Sequence, residues 1–158
     1  MTQERKLDGA RKDVDELLRD EVGTAVESLG GGLAGRVARH LGTNRFEIAA
    51  DVHLGIGEAH ALYVKAVKRA GRLIHTETDL HGESITAVVG AGFLNMNPAV
   101  VEIELRDAGA DSCSVVLRGT AKEGLLKQHA GEGAVRTLLA AVHRIAPGST
   151  IVTDPERR

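Results

Sequence analysis

The sequence predicts an α+β fold, in which one antiparallel five-stranded sheet carries a long C-terminal helix across it and a helical arm precedes the sheet. Two observations predict this class. Beyond residue 42 the apolar period changes in the order two, 3.6, two four times over, and 3.6 again, which corresponds to β-α-β-β-β-β-α. Two segments between the later strands, His81-Gly82 and Asp107 to Asp111, are short and rich in turn formers, as antiparallel hairpins require.

The N-terminal segment is predicted to be a helical arm outside this domain. Apolar side chains recur at helical spacing over residues 4–29, and after three glycines a second short helix is predicted over 33–41. The predicted division is an arm at 1–42, an α+β domain at 43–149 and a C-terminal tail at 150–158. Because an amphipathic arm needs a surface to cover, we expect it to lie on its own sheet or on a sister subunit.

The elements of the domain follow from their patterns. Apolar residues alternate with polar ones from Phe46 to Leu54, which predicts a half-buried strand. From Ala59 to Ala70 apolar residues return at intervals of three and four, and Gly71 is expected to end that helix. Four more strands are predicted, at 72–79, 83–89, 100–106 and 112–120. The last helix is predicted at 131–145, with Val135, Leu138, Leu139 and Val142 on its buried face.

Composition disfavours several classes of function. The net charge is −2 and charged residues of both signs, 27% of the chain, are intermixed, so no nucleic acid partner is expected. Two Phe, one Tyr and no Trp are too few rings to stack bases, sugars or flavins. No apolar stretch approaches the length of about eighteen residues that a membrane span needs, so none is expected.

Cys113 and the first residues bear on location. A single cysteine cannot form an internal disulfide, and its place in an alternating apolar segment predicts a buried thiol, consistent with a reducing compartment. Residues 1–6 lead into charged residues instead of an apolar run, so no secretory signal is expected. We therefore expect a soluble cytoplasmic protein.

The β-α-β4-α order of residues 46–145 resembles the fold of START-like, or helix-grip, proteins such as the birch-pollen allergen group, and of single TATA-binding-protein repeats. The resemblance rests on the order of elements. The larger helix-grip proteins have seven strands, whereas five are predicted here. The resemblance implies a cavity between the sheet and the long helix that can hold a lipid, sterol or polyketide.

Ligand-binding residues are predicted inside and around such a cavity. Eight inward-facing residues would line it: Ile48, Val52, Val101, Ile103, Val115, Leu117, Leu138 and Val142. At its rim, the loop at 90–98 places Phe93 beside Asn95 and Asn97, whose amides could hydrogen-bond a ligand. The alternative is that Phe93 only plugs one end of the core.

The segment after the last strand offers two more candidates. Lys122 could meet an anionic headgroup at the cavity mouth, and Glu123 could contact the ligand or serve as a base. The alternative is a linker that exposes one side to water and packs a pair of leucines in the core, because such a linker would have the same composition.

Ionisable residues recur at every second position of the predicted second strand: His75, Glu77, Asp79 and His81. They could bind a metal or exchange a proton. The alternating set is more apolar and is expected to face the core, so we interpret the ionisable row as solvated: Ile74, Thr76, Thr78 and Leu80. Glu58 and His60 open the first helix, where the helix dipole sufficiently explains Glu58.

Three hypotheses of function follow. The first is a protein, not an enzyme, that binds a small apolar or amphipathic ligand between the sheet and the last helix. The second is a homo-oligomeric interaction protein without a pocket, assembled through the arm and the outward face that carries Val100 and Val116. The third is a cyclase-like or hydrolase-like enzyme that uses His75, Glu77, Asp79 or Glu123 as acid and base. No nucleophile or metal motif accompanies these residues, so we assign no catalytic residue, metal or cofactor.

Overall fold

The computed structural model describes residues 14, 16–18, 20, 42–91, 97–123 and 129–153. Its elements are β1 (Gly42–Val52), α1 (Ile56–Ala70), β2 (Gly71–Asp79), β3 (Gly82–Ala91), β4 (Asn97–Gly109), β5 (Ser112–Glu123), α2 (Ala130–Ile145) and β6 (Thr150–Thr153). The five predicted strands and the two helices of the domain occur in the predicted order. The α+β fold class, an antiparallel sheet crossed by a C-terminal helix, is therefore confirmed.

The strands form one sheet in the order β2-β3-β4-β5-β1-β6, and every neighbouring pair is antiparallel. The sequence did not predict β6, whose four residues lie in the segment expected to be a tail. This strand pairs with β1 from Ala49–Thr153 to Val52–Thr150. A strand of four residues is too short to show an alternating period, so only its pairing with β1 reveals it.

Alternation along the strands places one apolar face against both helices. In β5, Cys113, Val115 and Leu117 are buried, whereas Ser114 and Val116 between them are partly exposed. α1 contributes five buried residues to the same core: Ala59, Leu62, Tyr63, Ala66 and Val67. α2 contributes Ala130, Gly131, Ala134, Val135, Leu138, Ala141 and Val142. We call this helix-covered side the inner face of the sheet.

The prediction for β2 was partly wrong. Its register against β3 shifts between Leu73 and His75, so Ile74 is an inserted residue and packs with the apolar residues of the opposite, outer face. Leu80, expected to face the core, is fully exposed in the turn after β2, where the Asp79 carboxylate accepts a hydrogen bond from the His81 backbone N–H at 2.7 Å. The alternation of residues does not predict the buried side of β2 correctly. A bulge changes the phase of the alternation, and a turn ends the strand.

The outer face carries a second, smaller apolar cluster that the N-terminal residues cover. Val88 and Val100 pack there with Val14 and with Leu18, which is 0% exposed. The described residues of the arm are helical. These residues therefore cover the sheet of their own chain, which is one of the two positions expected for the arm. The outward Val100, which suggested a subunit contact, is buried by this packing.

Charged residues surround Arg118 beside that cluster. The Arg118 guanidinium contacts the Glu47 carboxylate at 2.6 Å and the Glu104 carboxylate at 2.5 Å. Burial alone would lower the pKa of Arg118, but the hydrogen bonds to Glu104 and Glu47 outweigh it and the pKa lies above its ordinary value. Burial raises the pKa of the neighbouring Glu102 carboxyl, and the Arg118 charge only partly offsets this. The outer face is thus held by a charge cluster, in contrast to the aliphatic inner face.

Among the described residues, no helix combines the length and apolar character required to cross a bilayer.

Candidate ligand-binding site

The space predicted to hold a ligand, between the inner face and α2, is filled around the residues expected to line it. A side chain that lined a cavity large enough for water would expose surface to that cavity. Of the eight predicted lining residues, Ile48 is 9% exposed and the other seven are 0% exposed. These eight residues belong to one packed cluster. They lie between the sheet and the helix as predicted, but in mutual contact and with no water-sized space against the seven.

Two glycines explain why α2 lies so close to the sheet. A Cβ atom added to Gly119 of β5 would lie 2.2 Å from the carbonyl oxygen of Gly131 in α2. A Cβ atom added to Gly131 would lie 2.6 Å from the carbonyl oxygen of Gly119. Both distances are far inside van der Waals contact, so only glycine permits this approach of the two backbones. The first turn of α2 therefore rests directly on β5 and leaves no room beneath it.

The predicted rim residues converge on one end of the sheet, as far as the structure describes them. Asn97 begins β4 and Glu123 ends β5, each two residues beyond the paired Ala99 and Ala121. Lys122 donates a hydrogen bond to the Thr43 hydroxyl at 2.9 Å. Phe93 and Asn95 lie outside the described residues. Contact of this end with a ligand stays a prediction.

The ionisable residues of β2 lie on an exposed edge strand. His75 Nε2 lies 3.5 Å from the Thr86 hydroxyl and 3.9 Å from a Glu77 carboxylate oxygen, and both His75 and Glu77 are about half exposed or more. Within the described ranges, no group of three or more His, Cys, Asp and Glu side chains is arranged to hold a metal ion. The row therefore has the geometry of a solvated strand face.

His60 has a partner that the sequence could not identify. Its Nδ1 lies 3.3 Å from Glu83 Oε2 on β3, whereas the sequence grouped it with Glu58. The pairing joins the start of α1 to the sheet.

The Cys113 thiol lies in the same region, and its pKa is raised by burial first and then by the Asp107 and Glu83 charges. A raised pKa lowers the thiolate fraction, and the Cys113 side chain is buried in the core cluster.

A groove on the outer side of the helices is the open feature that the sequence analysis missed. It encloses about 410 Å³ between α1 and α2 and is lined by Arg69, Ala70, Arg136, Thr137, Ala140, Ala141 and Arg144. The alanines form an apolar wall because their short side chains leave the space between the helices unfilled. The three arginines bring guanidinium groups to its edge. The groove is therefore both apolar and cationic.

The three arginines differ in their partners. Arg136 Nη2 lies 2.7 Å from Glu132 Oε1, and its guanidinium carbon lies 5.8 Å from the centre of the Phe46 ring. In the part of the chain that the structure describes, Arg69 and Arg144 make no ion pair. Among the described residues, the guanidinium groups of Arg69 and Arg144 thus have no carboxylate within ion-pair distance.

The charges of the described elements are distributed unevenly. The two helices carry five Lys and Arg residues against two Glu residues, Glu58 and Glu132. The strands β1 to β5 carry five Lys and Arg residues against nine Asp and Glu residues. The helical layer is cationic although the whole chain has a net charge of −2. The net charge of the chain therefore gave no indication of this cationic layer.

Comparison with known proteins adds only distant structural likenesses. No protein-family model and no curated protein sequence matches this chain. A point mutant of norcoclaurine synthase from Thalictrum flavum, in complex with a transition state analogue, is similar with 10% identity and a TM-score of 0.36 over 66% of this chain and 94% of that chain.

Two further solved structures are similar at the same level. A START superfamily protein from Mycobacterium smegmatis has 8% identity and a TM-score of 0.34, over 65% of this chain and 96% of that chain. The Zhui aromatase/cyclase from Streptomyces sp. R1128 has 11% identity and a TM-score of 0.34, over 68% of this chain and 99% of that chain. The helix-grip type of the present fold rests on its own element order and sheet, as described above.

Proposed function

We propose that this protein binds a small amphipathic ligand with a negatively charged group, in the groove between α1 and α2. One observation carries the proposal: Arg69 and Arg144, without ion-pair partners among the described residues, stand beside an apolar wall formed by Ala70, Ala140 and Ala141. A guanidinium presents several N–H donors in a plane and binds carboxylate or phosphate oxygens through two parallel hydrogen bonds. The wall would receive the apolar part of the same ligand.

The inner face supports this choice of site by exclusion. The seven predicted lining residues that expose no surface would have to separate before a ligand could enter beneath α2. Such an opening would lose packing contacts and expose apolar surface, at a free-energy cost of about 25 cal/mol for each Å² of apolar area exposed. The groove already exists and needs no such rearrangement. A ligand with both an apolar and an anionic part therefore reaches the groove at lower cost in free energy.

The expected affinity is modest because the groove is open on one side. A ligand of about twelve non-hydrogen atoms that gains about 0.4 kcal/mol per atom binds with roughly 5 kcal/mol, which corresponds to a Kd of about 0.1–1 mM. Surface charges are screened by salt, so the binding should weaken as ionic strength rises. Titration followed by NMR is the appropriate measurement at this affinity.

The test is a titration of the ¹⁵N-labelled chain with 4-butylbenzoate at low salt. We expect amide shifts at the end of α1 and along residues 136–144 of α2, and their loss in the double variant Arg69→Gln/Arg144→Gln. Lys65→Gln removes the same charge from α1 outside the groove and should retain the shifts. Shifts confined to Val101, Ile103 and Leu117 on the strands instead would place the ligand beneath α2, among the lining residues predicted from the sequence, and would overturn the groove.

Homo-oligomer formation is a second proposal, and β2 is the element that supports it. This strand is exposed from residue 75 to 79 and has no neighbour on one side among the described strands. The arm does not favour assembly, since Leu18 is buried on its own sheet. Light scattering after size exclusion, at protein concentrations about a hundredfold apart, should show a dimer mass at the higher concentration; a monomer mass at both would reject the proposal.

A further inference from the structure

We infer that the groove prefers ligands whose headgroup carries two negative charges over ligands whose headgroup carries one. This inference rests on the proposed binding of anions in the groove and specifies the class of ligand. It comes from the charges at the groove edge. Arg69 and Arg144, each in the last turn of its helix, have no carboxylate partner among the described residues, whereas Arg136 is paired with Glu132.

The compensation of Arg136 is defined by geometry. Its Nε donates to Glu132 Oε1 at 2.8 Å and its Nη2 lies 2.7 Å from the same oxygen, at the spacing of one helical turn. The Phe46 ring at 5.8 Å from the guanidinium carbon further restricts it. Arg136 therefore fixes one side of the groove without adding net charge to it.

The remaining polar group of the groove does not contribute a donor. The Thr137 hydroxyl donates its hydrogen to the Gly133 carbonyl oxygen at 2.8 Å, one turn earlier in α2. A hydroxyl has a single hydrogen, so Thr137 can offer an anion no hydrogen bond while that contact persists. Recognition of the headgroup therefore depends on the guanidinium groups. The main contribution comes from Arg69 and Arg144, which have no carboxylate partner among the described residues.

Charge matching then selects the headgroup. A headgroup with two negative charges would match the charges of both Arg69 and Arg144. Examples are a phosphate monoester and a pair of adjacent carboxylates. A monoanion leaves one positive charge unmatched. Exposed ion pairs contribute about 0.2–1 kcal/mol each, and at low salt the upper part of that range, about 0.6–1 kcal/mol, applies; the second charge should therefore strengthen binding by roughly threefold to fivefold.

The test compares ligands that differ mainly in charge, at pH 8 and low salt. Phenyl phosphate, a dianion at that pH, is paired with methyl phenyl phosphate, a monoanion; phthalate is paired with benzoate. We expect the dianion of at least one pair to bind about threefold to fivefold more tightly. A preference in the phosphate pair alone would assign the headgroup to a phosphate monoester, and a preference in both pairs would assign it to dianions in general.

Three variants identify the cause of the preference. Arg144→Gln should reduce the ratio of affinities toward one. Glu132→Gln releases Arg136 from its counter-charge and should strengthen binding of both members of a pair. Lys65→Gln is the matched control and should leave the ratio unchanged.

The outcomes separate this inference from the proposed function. Equal affinity within both pairs, with shifts in the groove, would overturn the dianion preference and leave anion binding standing. Absence of groove shifts with all four ligands would overturn both. A preference that persists in Arg144→Gln would also overturn the inference, because the charge held responsible would have been removed.

Discussion

The two sides of α2 use the same small residues with opposite results. On the side facing the sheet, Gly131 lies against Gly119 of β5, and the neighbouring Ala134 is buried in the packed core. On the side facing α1, Ala140 and Ala141 leave a groove of about 410 Å³ because no opposing backbone fills the space. A small residue therefore permits close contact where a second backbone lies directly opposite, and leaves open space where it lies along the groove between the two packed helices. The proposed location of the binding site rests on this difference.

Stability should fall most when side-chain volume is removed from the side of α2 that faces the sheet. Leu138→Ala removes a fully buried side chain from the centre of α2 and should lower the free energy of unfolding by about 3–4 kcal/mol, measured by urea denaturation. The variant should also take up benzene or xenon in the new cavity, which the original core excludes. Thr137→Ala, one residue earlier and on the groove side, should change stability by less than about 0.5 kcal/mol. Equal losses in the two variants would remove the distinction between the sides.

The close approach of α2 and β5 can be tested by adding one methyl group. Gly131→Ala should cost about 2–3 kcal/mol, because its Cβ atom would meet the Gly119 carbonyl oxygen and the backbones would have to separate. Gly57→Ala in the first turn of α1 meets no atom within 4 Å and should be neutral or stabilising by up to about 1 kcal/mol. If Gly131→Ala matched that control in thermal and urea unfolding, the explanation of the filled interface would be wrong.

The outer face extends the comparison to the arm. Leu18→Ala should lower the free energy of unfolding by about 2 kcal/mol, at the lower end for a buried leucine, because its cluster with Val88 and Val100 is small. Glu16→Ala, at an exposed position two residues before Leu18, serves as the control. An unchanged unfolding midpoint in Leu18→Ala would show that the arm does not cover its own sheet in solution.

Glu102 should give the smallest effect, and its sign is fixed. Burial raises the pKa of this carboxyl in the folded chain, so between the unfolded and folded pKa values the folded state holds more protons. The contribution of Glu102 to stability is therefore lost as pH rises through the folded pKa. Relative to the original chain, Glu102→Gln should gain stability as the pH is raised from about 4 to 7. Urea midpoints across that range measure it, and a difference that stays constant or falls would contradict the burial of the charge.

Much of the fold could be predicted from sequence because periodicity records which side of an element is buried. The alternation around Leu117 and the helical spacing of Leu138 and Val142 placed all three correctly on the inner face. The bulge at Ile74 and the four-residue β6 could not be predicted, since one follows from a local phase change and the other from pairing with a distant strand. The pairing of His60 with Glu83 depends in the same way on how α1 crosses β3.

The candidate site was not predictable from sequence, for a physical reason. Apolar periodicity identifies the face of α2 that is buried, but it carries no measure of the distance between that face and the sheet. That distance depends on Gly119 meeting Gly131 across the interface, and the lining of the groove depends on α1 and α2 contributing Arg69 and Arg144 from different parts of the chain. The sequence by itself determined the order of the elements and the polarity of their faces, which are properties of neighbours along the chain. The tertiary structure alone decided where space remains and which charges stay unpaired, because both depend on residues far apart in sequence.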